Sequence, residues 1–194
     1  ETLIALRPAE PQDAARMLVV HGDGRLEDSL IRHLPDHLSS GDVLVFNDTR
    51  VIPAALKGVR HARSEDGQDV AVDANLVQRL GPGRWLTLAR PGKRLREGDE
   101  IVFGEGFSAT IAVKRESGEL ELVFDREGQA LDAALETFGA MPLPPYIARR
   151  RPADAQDRQT YQTKFAGDEA ESVAAPTAGL HFTPRLLTEI DASG

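Results

Sequence analysis

Residues 57–125 alternate short apolar segments with turn signals, a pattern that few folds accommodate. The predicted strands cover residues 69–78, 84–89, 100–102, 107–114 and 120–124, and the turn signals lie at 65–67, 81–83, 91–92, 97–99 and 117–118. Short strands at such regular spacing are typical of a closed antiparallel sheet, because closure leaves no unpaired edge. We therefore predict a small antiparallel β-barrel.

The segments on either side of this barrel mix helical and strand patterns. Residues 43–46 (VLVF) form a continuous apolar run, which is typical of a strand buried on both faces. We also predict a short strand at 17–20, helices at 26–38, 127–138, 154–164 and 185–190, and an extended, proline-rich segment at 141–147. The predicted fold is an α/β main domain, residues 1–56 and 127–194, interrupted by a small antiparallel β-barrel domain at 57–126. Because the sequence stops just after the last predicted helix, we expect the main domain to be incomplete.

The composition excludes several classes of protein. There is no cysteine, which rules out disulfides and thiolate metal sites, and we expect a reducing, cytoplasmic environment. The five histidines are scattered along the chain, and we predict no metal site. No apolar run approaches membrane-spanning length, and we expect no membrane partner. The net charge of −8 excludes a uniformly basic surface but permits local basic patches.

Residues 173–182 (VAAPTAGLHF) combine small residues, one proline and one histidine in a run without charge. Pro176 fixes its own φ, so no helix is predicted through this point. Gly179 permits a backbone turn, and the same loop carries the Thr177 hydroxyl and the His181 imidazole. The Thr-Pro-Arg that follows predicts a helix start, with free N–H groups near the loop. Two interpretations are open: a small-molecule site and an ordinary buried turn.

A polar tetrapeptide, Asn47-Asp48-Thr49-Arg50, directly follows the apolar run at 43–46. Polar side chains at the carboxyl end of a buried strand are where α/β folds usually contact ligands. The amide, hydroxyl and carboxylate groups suit a ribose or purine, and the guanidinium suits a carboxylate or phosphate. The alternative is an Asx-type turn beside a solvated arginine.

Two clusters of cations stand out in this acidic chain. Residues 74–96 contain six cations and no acid, with Trp85, the only tryptophan, between them. The six are Arg79, Arg84, Arg90, Lys93, Arg94 and Arg96. The second cluster is Arg149-Arg150-Arg151. Both predict surfaces that contact phosphates, with Trp85 as a stacking residue. The alternative for the first is a solvated rim around a core tryptophan.

Four segments together resemble a known enzyme family. They are VFNDTRVIPAALKG (45–58), GAMPLPPYI (139–147), DRQTYQTKFA (157–166) and VAAPTAGLHFTPRLL (173–187). In this order and at these separations they closely resemble the S-adenosylmethionine:tRNA ribosyltransferase-isomerases of queuosine biosynthesis. The resemblance covers nearly the whole chain, and within 57–125 only the pattern of strands and turns matches. The chain resembles the N-terminal half of such an enzyme, so we expect a fragment that lacks the opposite wall of its site.

The resemblance implies a reaction in which S-adenosylmethionine donates its ribosyl part. The acceptor is the aminomethyl group of 7-aminomethyl-7-deazaguanine at the wobble position of tRNA, and the product is epoxyqueuosine with release of adenine and methionine. S-adenosylmethionine is then a co-substrate, and no metal or other cofactor is needed. The expected partners are the tRNA anticodon loop and S-adenosylmethionine, and we expect a monomer.

This chemistry needs a proton acceptor for the ribose carbon beside the sulfonium and a proton donor for departing adenine. His181 is the candidate acid or base, because imidazole exchanges protons near neutral pH. Thr177, the second catalytic candidate, would shape the pocket with three neighbouring loop residues. The candidates for binding substrate are Asn47, Asp48, Thr49, Arg50, Tyr146, Pro176, Ala178 and Gly179. The candidates for binding tRNA are Arg90, Lys93, Arg94, Arg149, Arg150 and Arg151.

Two other functions are weighed against this one. A non-catalytic RNA-binding barrel with an adapter domain would explain the basic stretch at 74–96, but it gives no reason for the VAAPTAGLHF loop. Another adenosyl-binding enzyme, such as a methyltransferase, has little support because no GxGxxG strand–turn–helix motif occurs.

Overall fold

A computed structural model describes residues 5–167 and 171–193 of the chain. The chain divides into two compact units. The main unit contains Glu1–Val51 and Pro145–Gly194, and the barrel unit is the continuous segment Ile52–Pro144. The barrel unit is thus an insertion in the main unit, which confirms the predicted architecture of an α/β domain interrupted by a barrel. The limits predicted for the inserted domain, residues 57 and 126, stay a prediction.

The regular elements are named here in chain order. The strands are β1 (Arg16–Val20), β2 (Leu26–Leu30), β3 (Arg50–Val51), β4 (Ala55–Arg60), β5 (Val70–Gly81), β6 (Arg84–Arg90), β7 (Glu100–Gly104), β8 (Phe107–Lys114), β9 (Leu120–Phe124) and β10 (Glu171–Ser172). The α-helices are α1 (Gly128–Phe138), α2 (Pro145–Ala148), α3 (Ala155–Thr160) and α4 (Pro184–Ser193). Short 3₁₀ helices cover Gln12–Ala14, Ile31–His37, Gly92–Arg94 and Thr177–His181.

Six strands of the barrel unit close into an antiparallel barrel in the order β4-β5-β6-β9-β8-β7. The ring closes where β4 pairs with β7 at Val59 and Val102. The five strands predicted from the turn spacing correspond to β5 to β9, so the barrel prediction is confirmed. β4 was not predicted, because its sequence ALKGVR has neither a strict alternation nor a flanking turn signal.

The interior of the barrel is filled by one face of each strand. Along β5, Val70, Val72, Ala74 and Leu76 are buried, while the residues between them are exposed. This alternation follows from the period of two in a strand, and full burial of such aliphatic side chains stabilises the fold by about 1.5–3 kcal/mol each. The barrel unit therefore has a hydrophobic core of its own.

Helix α1, which the apolar spacing predicts, packs its last residue against the barrel. The Phe138 ring stacks on Phe107, with ring centroids 5.3 Å apart. The next residue, Gly139, ends the helix at a point where a Cβ atom would lie only 2.0 Å from the Pro53 carbonyl oxygen. Ala140 then bridges to Ala55 at the start of β4. A small residue is therefore needed where α1 returns to the barrel.

The main unit contains less regular structure. β1 and β2 form an antiparallel hairpin, and β3 pairs in parallel with β10. The predicted strand at 17–20 is confirmed as part of β1, and the predicted helix at 185–190 is confirmed as part of α4. Among the described residues, no helix is long and apolar enough to cross a membrane.

The helix predicted over 26–38 is wrong. Residues 26–30 form β2, and the 3₁₀ helix Ile31–His37 follows. The apolar positions fit a helical spacing, but the preceding Gly-containing turn directs β2 back along β1 and the hairpin satisfies its backbone. Pro35 lacks an N–H and clashes with the preceding turn of an α-helix, which favours the tighter 3₁₀ form here.

Two further strand-like predictions need correction. The VLVF run at 43–46 forms no strand, and Val43 and Val45 are 84% and 89% exposed. Such a run is buried only when neighbouring strands cover both its faces, and no strand within the described residues pairs with it. The segment at 141–147 is extended only as far as residue 144, because Pro145 begins α2. Proline is compatible with the first helical position, where no N–H is required.

Gly58 on β4 is predicted to control closure of the barrel. A Cβ atom there would lie 2.7 Å from both the Val102 carbonyl oxygen and the Phe103 ring. We expect Gly58→Ala to destabilise the barrel unit by about 1–3 kcal/mol through overpacking. Urea unfolding followed by the fluorescence of Trp85 measures this change. Gly81→Ala is the control, since its Cβ would meet nothing nearer than 3.8 Å, and equal stability of the two variants would contradict the prediction.

Candidate functional site

Three phenylalanines bring separate segments of the main unit together. The Phe46 ring stacks on Phe165 with centroids 3.8 Å apart, and Phe182 meets these two rings edge-on at 5.0 and 5.5 Å. Phe46 directly precedes Asn47, and Phe182 directly follows His181. The aromatic cluster therefore places the NDTR and VAAPTAGLHF segments beside the QTKF part of the third motif.

Hydrogen bonds reinforce this convergence. The Gln162 side chain accepts from the Val51 N–H at 2.9 Å and donates to the Val51 carbonyl at 3.3 Å. The Gly167 N–H donates to the Asp48 carbonyl at 2.7 Å, and β10 continues the contact as a parallel partner of β3. Gly167 and β10 thus lie beside NDTR, at Asp48 and Arg50.

The VAAPTAGLHF segment is a surface turn. A 3₁₀ helix, Thr177–His181, begins directly after Pro176, in agreement with the expectation that no helix passes through the proline. Thr177 and Ala178 are exposed, Pro176, Gly179 and His181 are half-buried, and no residue of 173–182 is fully buried. The interpretation as an ordinary buried turn is therefore wrong.

Gly179 is packed closely inside this turn. A Cβ atom on Gly179 would lie 3.0 Å from the Thr163 methyl group and 3.6 Å from the Phe165 ring. The Thr163 hydroxyl is buried and has no hydrogen-bond partner among the described residues. Thr163, Gln162 and Phe165 were not singled out from the sequence as site residues. Their position in a motif segment that ends with an aromatic residue is the signal that could have found them.

The NDTR segment has the geometry of an Asx turn. The Asn47 side-chain oxygen accepts from the Thr49 N–H at 2.9 Å and from the Thr49 hydroxyl at 2.5 Å. Asn47 and Asp48 are exposed, while Thr49 and Arg50 are half-buried. The turn alternative is thus correct for the backbone. It also holds two of the candidate binding side chains in one fixed orientation.

Thr183 joins the VAAPTAGLHF turn to α4. Its hydroxyl accepts from the Leu186 N–H at 3.2 Å, as expected of an N-cap, and donates to the Asp13 carboxylate at 2.6 Å. Asp13 is buried, with 1% of its surface exposed, and the N-terminal part of the chain thereby anchors the residue two positions after His181. No local pattern predicts this contact, because the partners lie 170 positions apart in the chain.

A buried ion-pair cluster fixes the start of the third motif. The Asp157 carboxylate, with its side chain fully buried, accepts two hydrogen bonds from Arg151 at 2.6 and 2.7 Å and one from Arg7 at 3.1 Å. Arg7 also pairs with Asp154, the N-cap of α3. Burial tends to raise the pKa of Asp157, but the hydrogen bonds from Arg151 and the Asp154 backbone outweigh it and lower that pKa. The Arg151 guanidinium is therefore engaged within the protein.

The two tyrosines link the second and third motifs. Tyr146 on α2 is 53% exposed, and Tyr161 follows α3. Burial raises the pKa of the Tyr161 phenol, and the electrostatic effect of Tyr146 adds to the increase. Arg149 and Arg150 follow α2 and are exposed. Tyr146, in the second motif, is therefore close enough to Tyr161, in the third, to affect its ionisation.

The remaining candidates for binding tRNA belong to the barrel unit. Arg90, Lys93 and Arg94 are exposed at and just after the end of β6. Trp85 is only 3% exposed and lies under the Arg79 guanidinium, 4.8 Å from the ring centre, so it is a core residue and does not present a stacking face. Within 5–167 and 171–193, no three acidic or histidine side chains form a group that could hold a metal ion.

The whole chain, residues 1–194, matches the family model described as queuosine biosynthesis protein. The chain belongs to this family. Relatives described as S-adenosylmethionine:tRNA ribosyltransferase-isomerase are 71% identical over 194 residues in Hyphomonas neptunium and 56% identical over 195 residues in Maricaulis maris. Each match covers 100% of this chain and 55% of the relative, so the chain spans about half the length of the curated relatives it matches.

A solved structure, described as an S-adenosylmethionine tRNA ribosyltransferase from Thermotoga maritima, is 28% identical with a TM-score of 0.37. The match covers 100% of this chain and 52% of that one. The family model, which matches the whole chain, confirms the resemblance that the four motifs carry.

Gln162 is predicted to be essential for the packing of NDTR in this family member. Val51 is 4% exposed, and Gln162→Leu would leave its N–H and C=O without partners. We expect a loss of about 1–3 kcal/mol in the free energy of opening around β3, because buried polar groups lose their hydrogen bonds. Hydrogen exchange of the β3 amides measures this. Gln156→Leu, on exposed α3, should change it by less than about 0.5 kcal/mol, and equal effects would contradict the prediction.

The Arg7–Asp154 pair predicts a defined acid sensitivity. The hydrogen bond from Arg7 lowers the pKa of Asp154 from its ordinary 3.8 to about 2. The pair therefore stabilises the main unit fully above about pH 4, and this contribution is lost as the pH falls through about 2. We expect Asp154→Asn to weaken hydrogen-exchange protection of α3 at pH 5 and to match the unsubstituted protein near pH 2.

The control for this prediction is Asp28→Asn. Asp28 pairs with Arg16 at 2.8 Å, but its side chain is 74% exposed, and exposed pairs contribute little. An Asp154→Asn variant whose protection deficit is the same at both pH values would show that the carboxylate charge is irrelevant.

Proposed function

We propose that this chain forms part of an enzyme that transfers and isomerises the ribosyl moiety of S-adenosylmethionine. The acceptor is 7-aminomethyl-7-deazaguanine at the wobble position of tRNA, and epoxyqueuosine-tRNA is formed with release of adenine and methionine. The observation that carries the proposal is the convergence of the NDTR, QTKF and VAAPTAGLHF segments on one aromatic cluster. Membership of the queuosine biosynthesis family supports it.

His181 is proposed as the proton-transfer residue. The reaction requires removal of a proton from the ribose carbon beside the sulfonium and protonation of the departing adenine. A half-buried imidazole at the end of a 3₁₀ helix is accessible to a ligand, and the next residue, Phe182, belongs to the aromatic cluster. Thr177 and the backbone of Gly179, with Pro176 and Ala178, would shape the wall of the adenosyl pocket.

The NDTR segment is proposed to hold the adenosyl and methionyl groups. The Asx turn holds Asn47 and Thr49 together, and these two residues would position a ribose or purine while Asp48 would accept from hydroxyl groups. Arg50 would pair with the methionine carboxylate or with a phosphate. The exposed ring of Tyr146 would stack on a base of the anticodon loop.

Contacts with the tRNA backbone are proposed for both basic clusters. The exposed Arg149 and Arg150 would contact phosphates, while in Arg151 this role competes with the ion pair to Asp157. Arg90, Lys93 and Arg94 would contribute from the barrel unit. The wobble base must leave its stack for its aminomethyl group to be reached. S-adenosylmethionine is proposed as a co-substrate without metal or further cofactor, in a cytoplasmic monomer.

The competing function is that of a non-catalytic RNA-binding module. The exposed cations of the barrel unit favour RNA binding, but they are equally expected of an enzyme that acts on tRNA. Only the arrangement around His181 distinguishes the two, because a binding module has no need of a titratable group beside an open turn.

The test uses the complete protein, with S-adenosylmethionine and tRNA carrying the precursor base. We expect His181→Ala to lower the rate of adenine release by about 10²–10⁴-fold, the usual contribution of general acid–base catalysis. Calorimetry should show nearly unchanged binding of S-adenosylmethionine. His33→Ala is the control, because His33 is exposed and its ring forms a hydrogen bond with Ser29 in the hairpin region.

Two outcomes contradict the proposal. Normal turnover in His181→Ala would remove this residue from the mechanism. Binding of both substrates to the unsubstituted protein without adenine release would instead favour methyl transfer or a pure binding role.

A further inference from the structure

The turn that follows β6 carries an unusual concentration of unneutralised charge. In this segment, named here the basic turn (residues 90–96), four of seven residues are cations: Arg90, Lys93, Arg94 and Arg96. All four are exposed, and none of their side chains has an ion pair or hydrogen bond within the described part of the chain. The two other cations of residues 74–96 differ, since Arg79 pairs with Asp132 and Arg84 with Glu121.

Two cations from outside the basic turn cover its carbonyl oxygens. The Lys114 ammonium donates to the carbonyls of Gly92 at 2.7 Å and Leu95 at 2.8 Å. The Arg63 guanidinium donates to the carbonyl of Arg94 at 2.9 Å. A carbonyl oxygen is the negative end of the peptide dipole and would repel a phosphate. Because three of these carbonyl oxygens are covered, fewer partial negative charges are exposed between the four cations of the basic turn.

The basic turn is also held in one conformation. Leu95, next to its last residue, has no exposed surface and anchors it in the barrel core. The Asp99 carboxylate accepts from the Arg96 N–H at 2.8 Å and from the Arg63 guanidinium at 2.7 and 2.5 Å. The Arg63 hydrogen bonds lower the pKa of Asp99, so this carboxylate is charged over the neutral range. The backbone that carries the four cations is therefore held in place by Leu95 and Asp99.

We propose that the basic turn is a preorganised element for binding the phosphate backbone of RNA. Arg90, Lys93, Arg94 and Arg96 contact phosphates, and Arg63 and Lys114 act as positioning residues. This deepens the proposed function and rests on it, because it explains how one of the two basic clusters is arranged to contact the tRNA backbone. It adds Arg63 and Lys114, as positioning residues, to the cations of residues 74–96 expected from the sequence.

The chemistry of the basic turn favours a polyphosphate backbone over other anionic partners. Four separate cations along seven residues match charges that repeat along a strand, whereas a single nucleotide offers its charges at one point. Trp85 is buried, so no aromatic face for base stacking lies in this stretch. Binding to a lipid surface usually adds several apolar side chains beside the cations, whereas Leu95 is buried and Leu88, two positions before Arg90, is the exposed aliphatic residue next to the turn at 51% exposure. Recognition here is therefore electrostatic and independent of base sequence.

The salt dependence of RNA binding tests this proposal. The complete protein is titrated with an unmodified tRNA transcript, without S-adenosylmethionine, over a range of KCl concentrations. Each lost phosphate contact lowers the slope of log affinity against log salt by about 0.7–0.9. We expect the variant with all four cations changed to Gln to lose about three units of slope. Raising the salt from about 50 to 200 mM weakens RNA binding in both proteins. The loss of affinity in the variant should be about 60-fold smaller than in the unsubstituted protein.

Single substitutions separate direct contacts from positioning. Arg96→Gln should lower the slope by about one contact, whereas Arg16→Gln, which removes the same charge from an 81% exposed side chain in the hairpin, should leave it unchanged. Lys114→Gln also removes one charge, but it uncovers two carbonyls as well. The slope of log affinity against log salt should therefore fall by more than the value expected for one lost contact. Trp85 fluorescence checks that the barrel is folded in each variant. Arg63→Gln is the second positioning variant if Lys114→Gln unfolds.

The outcomes discriminate clearly between the possibilities. An unchanged slope in the fourfold variant, or no binding of the transcript by the unsubstituted protein, overturns the proposal. Stronger binding to phosphatidylserine vesicles than to RNA, lost in the same variant, would assign the turn to a membrane surface and also overturn it. The expected slopes without adenine release from precursor tRNA would support the basic turn while refuting the proposed reaction.

Discussion

The stacking of Phe46 on Phe165, with Phe182 edge-on, is the contact on which the arrangement of the main unit depends. Residues 38–46 and 162–167 form neither helix nor strand. No backbone ladder therefore positions the Phe46 and Phe165 rings. An aromatic pair stabilises a fold by about 0.5–1.5 kcal/mol beyond burial of its surface. The paired hydrogen bonds of Gln162 then fix the register that the rings select.

The barrel unit depends on a different constraint, the continuity of its backbone ladder. Each strand is paired on both sides, and the seam between β4 and β7 closes only because Gly58 lacks a side chain. Because backbone hydrogen bonds hold the sheet together, the side chains on its outer face are not needed for this purpose. The barrel can therefore carry exposed cations on its turns, while the main unit uses Arg7 and Arg151 to neutralise a buried carboxylate.

This difference explains how much could be predicted from the sequence. The barrel strands follow from alternation and turn residues that act over a few positions, and β5 to β9 were placed correctly. The VLVF run and residues 26–38 were predicted wrongly, because their secondary structure depends on partner segments that local spacing does not specify. The motifs located the candidate site, but Asp13, Gln162 and Thr163 required the structure. Their partners lie up to 170 positions away in the chain.

The cations show why sequence position alone is a poor guide to binding surfaces. Arg79, Arg84 and Arg151 belong to the two basic clusters, yet each is paired with a carboxylate in the folded chain. The basic turn lies in the same stretch as the first two and has no such partner within the described residues. A net charge of −8 repels RNA at long range, so attraction must come from a local excess of positive potential. Covering the carbonyls of the turn with Lys114 and Arg63 increases that local potential without adding an exposed acid.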